Sequence, residues 1–112
     1  MNRPLVQLSL LSSLLLACGS ALAGEVPEFR IAIKDHRFDP PELVVPANQK
    51  IKLIIQNNDA TAEEFESYEL NREKVVAGNS TISVFIGPLA PGRYPYFGDF
   101  HMDIAKGTIV AQ

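Results

Sequence analysis

The chain has 112 residues, a formal net charge of −3 and one cysteine, and hydrophobic residue types make up 46% of it. A chain of this length supports one domain with one core and is too short for two. Its 10 Lys and Arg residues are outnumbered by 13 Asp and Glu and form no basic stripe, so nucleic acid is not expected as a partner.

The N-terminal segment has the pattern of an export signal. Arg3 supplies a positive charge, residues 5–17 form an apolar run, and Ala21-Leu22-Ala23 is a small-x-small cleavage site. The apolar run is shorter than the roughly 20 residues that a membrane span needs. We therefore predict a signal peptide over residues 1–23, a folded domain over residues 24–112 and a periplasmic location.

Cys18 allows a second processing route. Leu15-Leu16-Ala17-Cys18 fits a lipoprotein box, in which Cys18 would carry a lipid and hold the protein at a membrane. We prefer cleavage after Ala23, because that site completes an ordinary signal peptide. Both routes leave the folded domain without a thiol and therefore without a disulfide.

From residue 28 onward, apolar and polar residues alternate with the period of two that is typical of half-buried strands. Proline and glycine turns separate strands predicted over residues 28–34, 43–45, 50–55, 81–86, 94–97 and 107–110. Residues 65–76 fit a loop, a short helix or an irregular strand. Pro95 requires an edge strand or a bulge, because proline has no N–H for the ladder. The pattern predicts an all-β sandwich.

Polar residues cluster at 57–65, which include Asn57-Asn58 and Glu63, and at 98–103, which include Gly98 and His101. Both clusters resemble the metal-binding loops of cupredoxins. In residues 57–65, the pair Asn57-Asn58 is followed by Glu63 at the position of the first copper histidine. After the aromatic segment 94–97, Gly98 stands at the position of the ligand cysteine and His101 at that of the second histidine. The resemblance covers residues 29–110 and implies a Greek-key cupredoxin-like β-sandwich of about seven strands.

A narrower resemblance concerns residues 63–67, 70–74 and 97–101, which are similar to the small periplasmic cupredoxins that accompany oxidase-dependent iron permeases. It implies a copper-dependent ferrous iron oxidase that works with an inner-membrane iron permease and another periplasmic iron-binding protein. A blue type 1 centre needs a cysteine thiolate. The expected cofactor is therefore Cu(II) in a centre of another type, with iron as substrate or ligand.

Five residues are candidate metal ligands. His101 and Glu63 hold the family's ligand positions, whereas a solvated loop glutamate and a surface histidine are the ordinary alternatives. Glu66 would be a second oxygen donor or a capture site for arriving Fe(II). His36 on the first hairpin would supply an imidazole or be an ordinary surface strand residue. Met102 would be a weak thioether ligand or an apolar cap. Imidazole and carboxylate donors suit Cu(II), iron or Mn better than Cu(I).

The residues around these candidates carry further expectations. Strand alternation predicts that Glu64 points away from Glu63. Asp99 is expected either to orient the His101 ring or to serve as a turn residue. The sequence leaves open whether the protein is an enzyme, since a non-catalytic copper carrier or chaperone and a structural sandwich with a decayed site fit the same residues.

Overall fold

The computed structural model describes residues 24–112, and the predicted signal peptide with Cys18 lies outside them. These described residues form nine β-strands and a single 3-10 turn at Asp99–His101. The strands are β1 (Glu28–Lys34), β2 (Arg37–Asp39), β3 (Glu42–Val45), β4 (Ile51–Asn57), β5 (Glu63–Ser67), β6 (Arg72–Val76), β7 (Thr81–Ile86), β8 (Gly92–Gly98) and β9 (Lys106–Ala111). Over residues 24–112, no helix is long and apolar enough to cross a membrane.

The strands form two sheets, one with the order β2-β1-β4-β7 and the other with the order β3-β9-β8-β5-β6. Two pairs, β1–β4 and β3–β9, are parallel. The predicted alternation places Ile31 and Ile33 of β1 and Ile109 of β9 in the core between the sheets. Burying one such side chain contributes about 1.5–3 kcal/mol. The prediction of an all-β sandwich is confirmed.

The described residues form nine strands rather than the predicted number of about seven. The additional strands are β2, which is only three residues long, and the strands of the β5–β6 hairpin, which includes most of residues 65–76. In β5, the inward positions are Glu63, Phe65 and Ser67, all buried, and the outward ones are Glu64 and Glu66. Two of the three inward side chains are therefore polar. This substitution of polar for apolar residues conceals the strand pattern in the sequence.

Pro95 lies in β8, which is an interior strand and not an edge strand. Pro95 is paired with Thr108 of β9, whereas the ladder to β5 involves only Phe97 and Gly98 of β8. Beyond that ladder, the Ser67 hydroxyl donates a hydrogen bond to the Pro95 carbonyl at 2.7 Å. Proline is tolerated here because the β5 ladder has already ended.

Aromatic rings fill the core next to β5. Phe38 packs edge-on against Phe65 and Tyr96, with ring centroids 6.4 and 4.9 Å apart, and Phe65 lies 5.0 Å from Tyr96. Such pairs contribute about 0.5–1.5 kcal/mol beyond the area that they bury. Since Phe65 and Glu63 share the inward face of β5, this packing also fixes the direction in which Glu63 points.

Candidate metal centre

Three of the five predicted ligand residues lie together at one end of the sandwich. His36 comes from the turn between β1 and β2, Glu63 begins β5, and His101 ends the 3-10 turn after β8. One potential ligand atom from each of the three lies within 4.8 Å of the other two. Residues far apart in the chain are thus brought to one point by the two sheets.

Glu63 is the buried member of this group, with 2% of its surface exposed. Its Oε1 accepts hydrogen bonds from the backbone N–H groups of Glu64 and Phe100, each at 2.9 Å. Its Oε2 lies 2.7 Å from Nδ1 of His101. A buried carboxylate is costly unless it is paired and hydrogen-bonded, and here both oxygens have partners. Glu63 is therefore a buried, hydrogen-bonded residue and not a solvated loop glutamate.

Asn57 fixes the loop that leads into Glu63. Its buried side-chain amide donates to the carbonyl groups of Thr61 at 2.9 Å, Ala77 at 3.2 Å and Val76 at 3.3 Å. Its Oδ1 accepts the backbone N–H of Asp59 at 3.0 Å. The asparagine pair of the resemblance thus has a physical role, since Asn57 joins the β4–β5 loop to the end of β6.

Asp59 holds the turn that carries His36, a role that sequence reasoning missed. Its two carboxylate oxygens accept the backbone N–H groups of Asp35 at 2.8 Å and His36 at 2.9 Å. Both turn residues have left-handed backbones, with φ of 51° and 62°. The His36 N–H is the main cause that lowers the pKa of the Asp59 carboxyl group. The sequence does contain a signal for this role, since Asp59 follows Asn57-Asn58 and Asn and Asp side chains commonly hydrogen-bond to the backbone of turns.

Asp59→Ala is expected to lower the free energy of unfolding by about 1.5–3 kcal/mol at neutral pH, because hydrogen bonds to a charged group contribute that much. A carboxyl group whose pKa is lowered by folding stabilises the protein above its unfolded pKa, and the contribution is lost as the pH falls through its folded pKa. The difference in stability from wild type should therefore shrink as the pH falls below 3.8, the ordinary pKa of an aspartate carboxyl group.

Urea unfolding at neutral and acidic pH measures this difference. Asp103→Ala, at an exposed aspartate, is the matched control and should have little effect. A pH-independent loss in Asp59→Ala would show that packing rather than the carboxylate charge fixes the turn.

The rings of His36 and His101 are stacked, with centroids 3.6 Å apart and an angle of 14° between their planes. The His36 side chain is 37% exposed and that of His101 is 29% exposed. Only the Glu63 side of the group is closed off from solvent. A metal ion would therefore reach the group from the histidine side.

Gly98, at the family's cysteine position, has no room for a side chain. A Cβ atom there would lie 2.6 Å from Cδ of Glu63 and 2.7 Å from Cβ of Ala105. Contacts this short are not tolerated without movement of a neighbour. The Glu63 carboxylate therefore lies beside the place where a ligand cysteine would begin. The residues present do not fit a blue type 1 centre.

Glu66 lies away from the three clustered residues. Strand alternation places it with Glu64 on the outer face of β5, where both carboxylates lie within 4.8 Å of that of Asp99. Glu66 is also directly opposite Glu73 of β6. The pKa values of Glu64 and Glu66 are raised, mainly because both carboxyl groups are partly desolvated and secondly because Glu73 repels their negative charge. Glu64 points away from Glu63, as alternation predicts, and Glu66 lies on the same outer face as Glu64.

Met102 follows His101 directly and is 54% exposed. It borders a surface groove that also contains Pro41, Pro95 and Phe97. Asp99 accompanies the outer carboxylates, and the carboxylate in contact with the His101 ring is that of Glu63. The donor set of the centre is thus two imidazoles and one carboxylate, which fits Cu(II) or iron and lacks the soft ligands that favour Cu(I).

Several known proteins are similar to this chain in sequence or in structure. A chain of Rickettsia prowazekii (strain Madrid E), called uncharacterized protein RP394, is 52% identical over 83 residues, which are 74% of this chain and 66%, just under two thirds, of that protein. Among solved structures, auracyanin A, described as a "blue" copper protein of Chloroflexus aurantiacus, has a TM-score of 0.67 at 18% identity and covers 79% of this chain and 100% of its own.

Amicyanin from Paracoccus versutus has a TM-score of 0.61 at 14% identity, covering 82% of this chain and 88% of its own. At such identities, the structural likeness concerns the fold alone. The sequence model of the cupredoxin-like domain matches residues 7–111. The chain therefore belongs to the cupredoxin-like domain family.

Proposed function

We propose that this protein is an exported, periplasmic metal-binding redox protein that holds Cu(II) with His101, Glu63 and His36 and assists the oxidation of Fe(II) during iron uptake. The observation that carries the proposal is the buried Glu63 carboxylate, 2.7 Å from His101 Nδ1. Two donor atoms bound to one ion at about 2.0–2.2 Å each lie about 3.0–3.4 Å apart, which is less than about 1 Å more than this separation. Small movements would therefore suffice for both to bind the same ion.

The protein groups would supply charge and orientation. The N–H groups of Glu64 and Phe100 hold Oε1 of Glu63, which leaves Oε2 directed at His101. His101, Glu63 and His36 would hold Cu(II), which would supply one-electron redox chemistry. Each Fe(II) would lose one electron and leave as Fe(III), and dioxygen would be the final electron acceptor. The partly exposed His101 ring gives this chemistry a route to the surface.

The outer carboxylates of Glu64, Glu66 and Asp99 support iron as the substrate. Glu64 and Glu66 lie on the face of β5 opposite to Glu63. Asp99 belongs to the 3-10 turn that carries His101, and its carboxylate lies close to theirs. A group of negative charges raises the local concentration of cations such as Fe(II). Carboxylate oxygens also favour the harder Fe(III) ion. In this proposal, an inner-membrane iron permease and a second periplasmic iron-binding protein receive the oxidised iron.

The test compares Fe(III) formation in aerated buffer by the purified protein with and without one equivalent of Cu(II). Loading with copper is expected to raise the rate by about tenfold, which corresponds to a barrier lower by about 1.4 kcal/mol. His101→Ala should remove the increase. Met102→Leu, which removes only the thioether of the neighbouring residue, should retain it.

The second candidate is a copper carrier without turnover, which the partial exposure of His36 and His101 favours because a receiving protein could reach both rings. The same experiment separates the two functions. Stoichiometric Cu(II) binding with no acceleration above the copper-free control, together with transfer of copper to a competing chelator, would select the carrier and remove the oxidase function.

A further inference from the structure

The stacking of His36 on His101 conflicts with the binding of one ion by both rings. An imidazole nitrogen binds a metal through a lone pair that lies in the plane of the ring. The two ring planes are nearly parallel, at 14°, with centroids 3.6 Å apart. An ion midway between them would be about 1.8 Å out of each plane, nearly the full metal–nitrogen bond length of about 2.0–2.1 Å. One ring must therefore leave the stack before both can bind.

His101 is the ring that is held in place. Its Nδ1 lies 2.7 Å from Oε2 of the buried Glu63. Its backbone carbonyl also accepts the N–H groups of Ala105 at 2.8 Å and Ile104 at 3.2 Å. A rotation of the ring would break the contact with Glu63 and leave a buried carboxylate oxygen without that partner, which is costly.

His36 is the ring that is free to rotate. Asp59 anchors its backbone N–H at 2.9 Å. The nearest charged group to its ring is the same carboxylate, with Nδ1 3.6 Å from Oδ2, beyond ordinary hydrogen-bond distance. Rotation about the side-chain torsions between staggered positions would move the ring without disturbing the turn.

We propose that His36 has two positions and thereby controls how fast metal leaves the centre. In one position it stacks on His101, and Glu63 and His101 are the available donors. In the other it turns away from the stack and supplies a second imidazole. The inference rests on the proposed metal binding by Glu63 and His101, and it adds that His36 retains the ion after it has bound.

Two variants isolate the ring. His36→Asn removes it and suits the backbone, because asparagine tolerates the left-handed φ of 62° at this position. His36→Phe keeps a flat ring for stacking and removes both nitrogens. Arg37→Ala, at the next and exposed residue, is the matched control.

Three measurements follow. In metal-free protein, the ring-proton resonances of His101 should lie upfield in the wild type and move downfield in His36→Asn, because the stacked ring is gone. Pulsed EPR of the Cu(II) form should count two imidazoles in the wild type and one in each His36 variant. A strong chelator should remove Cu(II) about tenfold faster from both variants, a barrier change of about 1.4 kcal/mol, and at the wild-type rate from Arg37→Ala.

The outcomes separate this inference from the function proposed above. If the wild type binds Cu(II) through one imidazole and releases it at the rate of His36→Asn, His36 is not a ligand and the inference is wrong, although Glu63 and His101 still bind. If His101 resonances are the same in the wild type and His36→Asn, the stack does not form and the two-position scheme is wrong. A wild type that binds no Cu(II) would remove the proposed function and the inference with it.

Discussion

Glu63→Gln is expected to weaken Cu(II) binding by at least about 100-fold, the upper part of the range seen when a residue that supports a metal ligand is replaced. Glutamine has the same shape and keeps a carbonyl oxygen for the N–H groups of Glu64 and Phe100. It lacks the negative charge that would face the ion beside His101. The loss of affinity would therefore report the charge and not a change of fold.

Calorimetric titration with Cu(II) in the presence of a competing chelator measures this loss. Glu66→Gln is the matched control, because Glu66 lies on the same strand with its side chain on the opposite face. It should bind Cu(II) as the wild type does. Equal losses in the two variants would mean that the ion binds at the outer carboxylates, and unchanged affinity in Glu63→Gln would exclude Glu63 as a ligand.

Gly98→Ala is expected to lower the free energy of unfolding by about 1–3 kcal/mol, the usual cost of adding a carbon atom to a filled site. The new Cβ would lie 2.6 Å from Cδ of Glu63 and 2.7 Å from Cβ of Ala105. Urea unfolding measures the change. Gly92→Ala, at the other end of β8, is the matched control, since the nearest atom to its Cβ would be 3.7 Å away.

A double-mutant cycle with Glu63→Ala tests whether Glu63 is the obstacle. Because the two side chains would compete for one space, the cycle should give a coupling free energy of about 0.5–3 kcal/mol, with Gly98→Ala costing less in the Glu63→Ala background. Additive effects would instead assign the clash to Ala105 alone.

Much of the fold could be predicted because its core strands alternate regularly. Ile31 and Ile33 in β1 and Ile109 in β9 are buried as the period of two requires. The hairpin of β5 and β6 could not be predicted, because Glu63 and Ser67 are buried polar residues at positions where apolar ones are expected. Their burial depends on partners from β8 and the following turn, which a local pattern does not reveal.

The sequence predicts those site residues that stand at ligand positions of the family. It does not predict the contacts that arise only from three-dimensional packing. The placement of Glu63 beside His101 agrees with the resemblance. Glu66 is a candidate ligand from the sequence, but in the structure it lies on the same outer face of β5 as Glu64. Its side chain therefore points away from Glu63. The stacking of His36 on His101 results from the meeting of a turn and a loop that are distant in sequence.

The contact between Gly98 and Glu63 also bears on how such a centre can change in evolution. A single codon change at residue 98 would place a side chain against the Glu63 carboxylate, and a change of Glu63 alone would remove a partner of His101 without supplying a thiolate. Each step by itself is unfavourable. A protein with this pair would therefore need at least two substitutions to acquire a thiolate centre, which favours retention of the glycine and the carboxylate together.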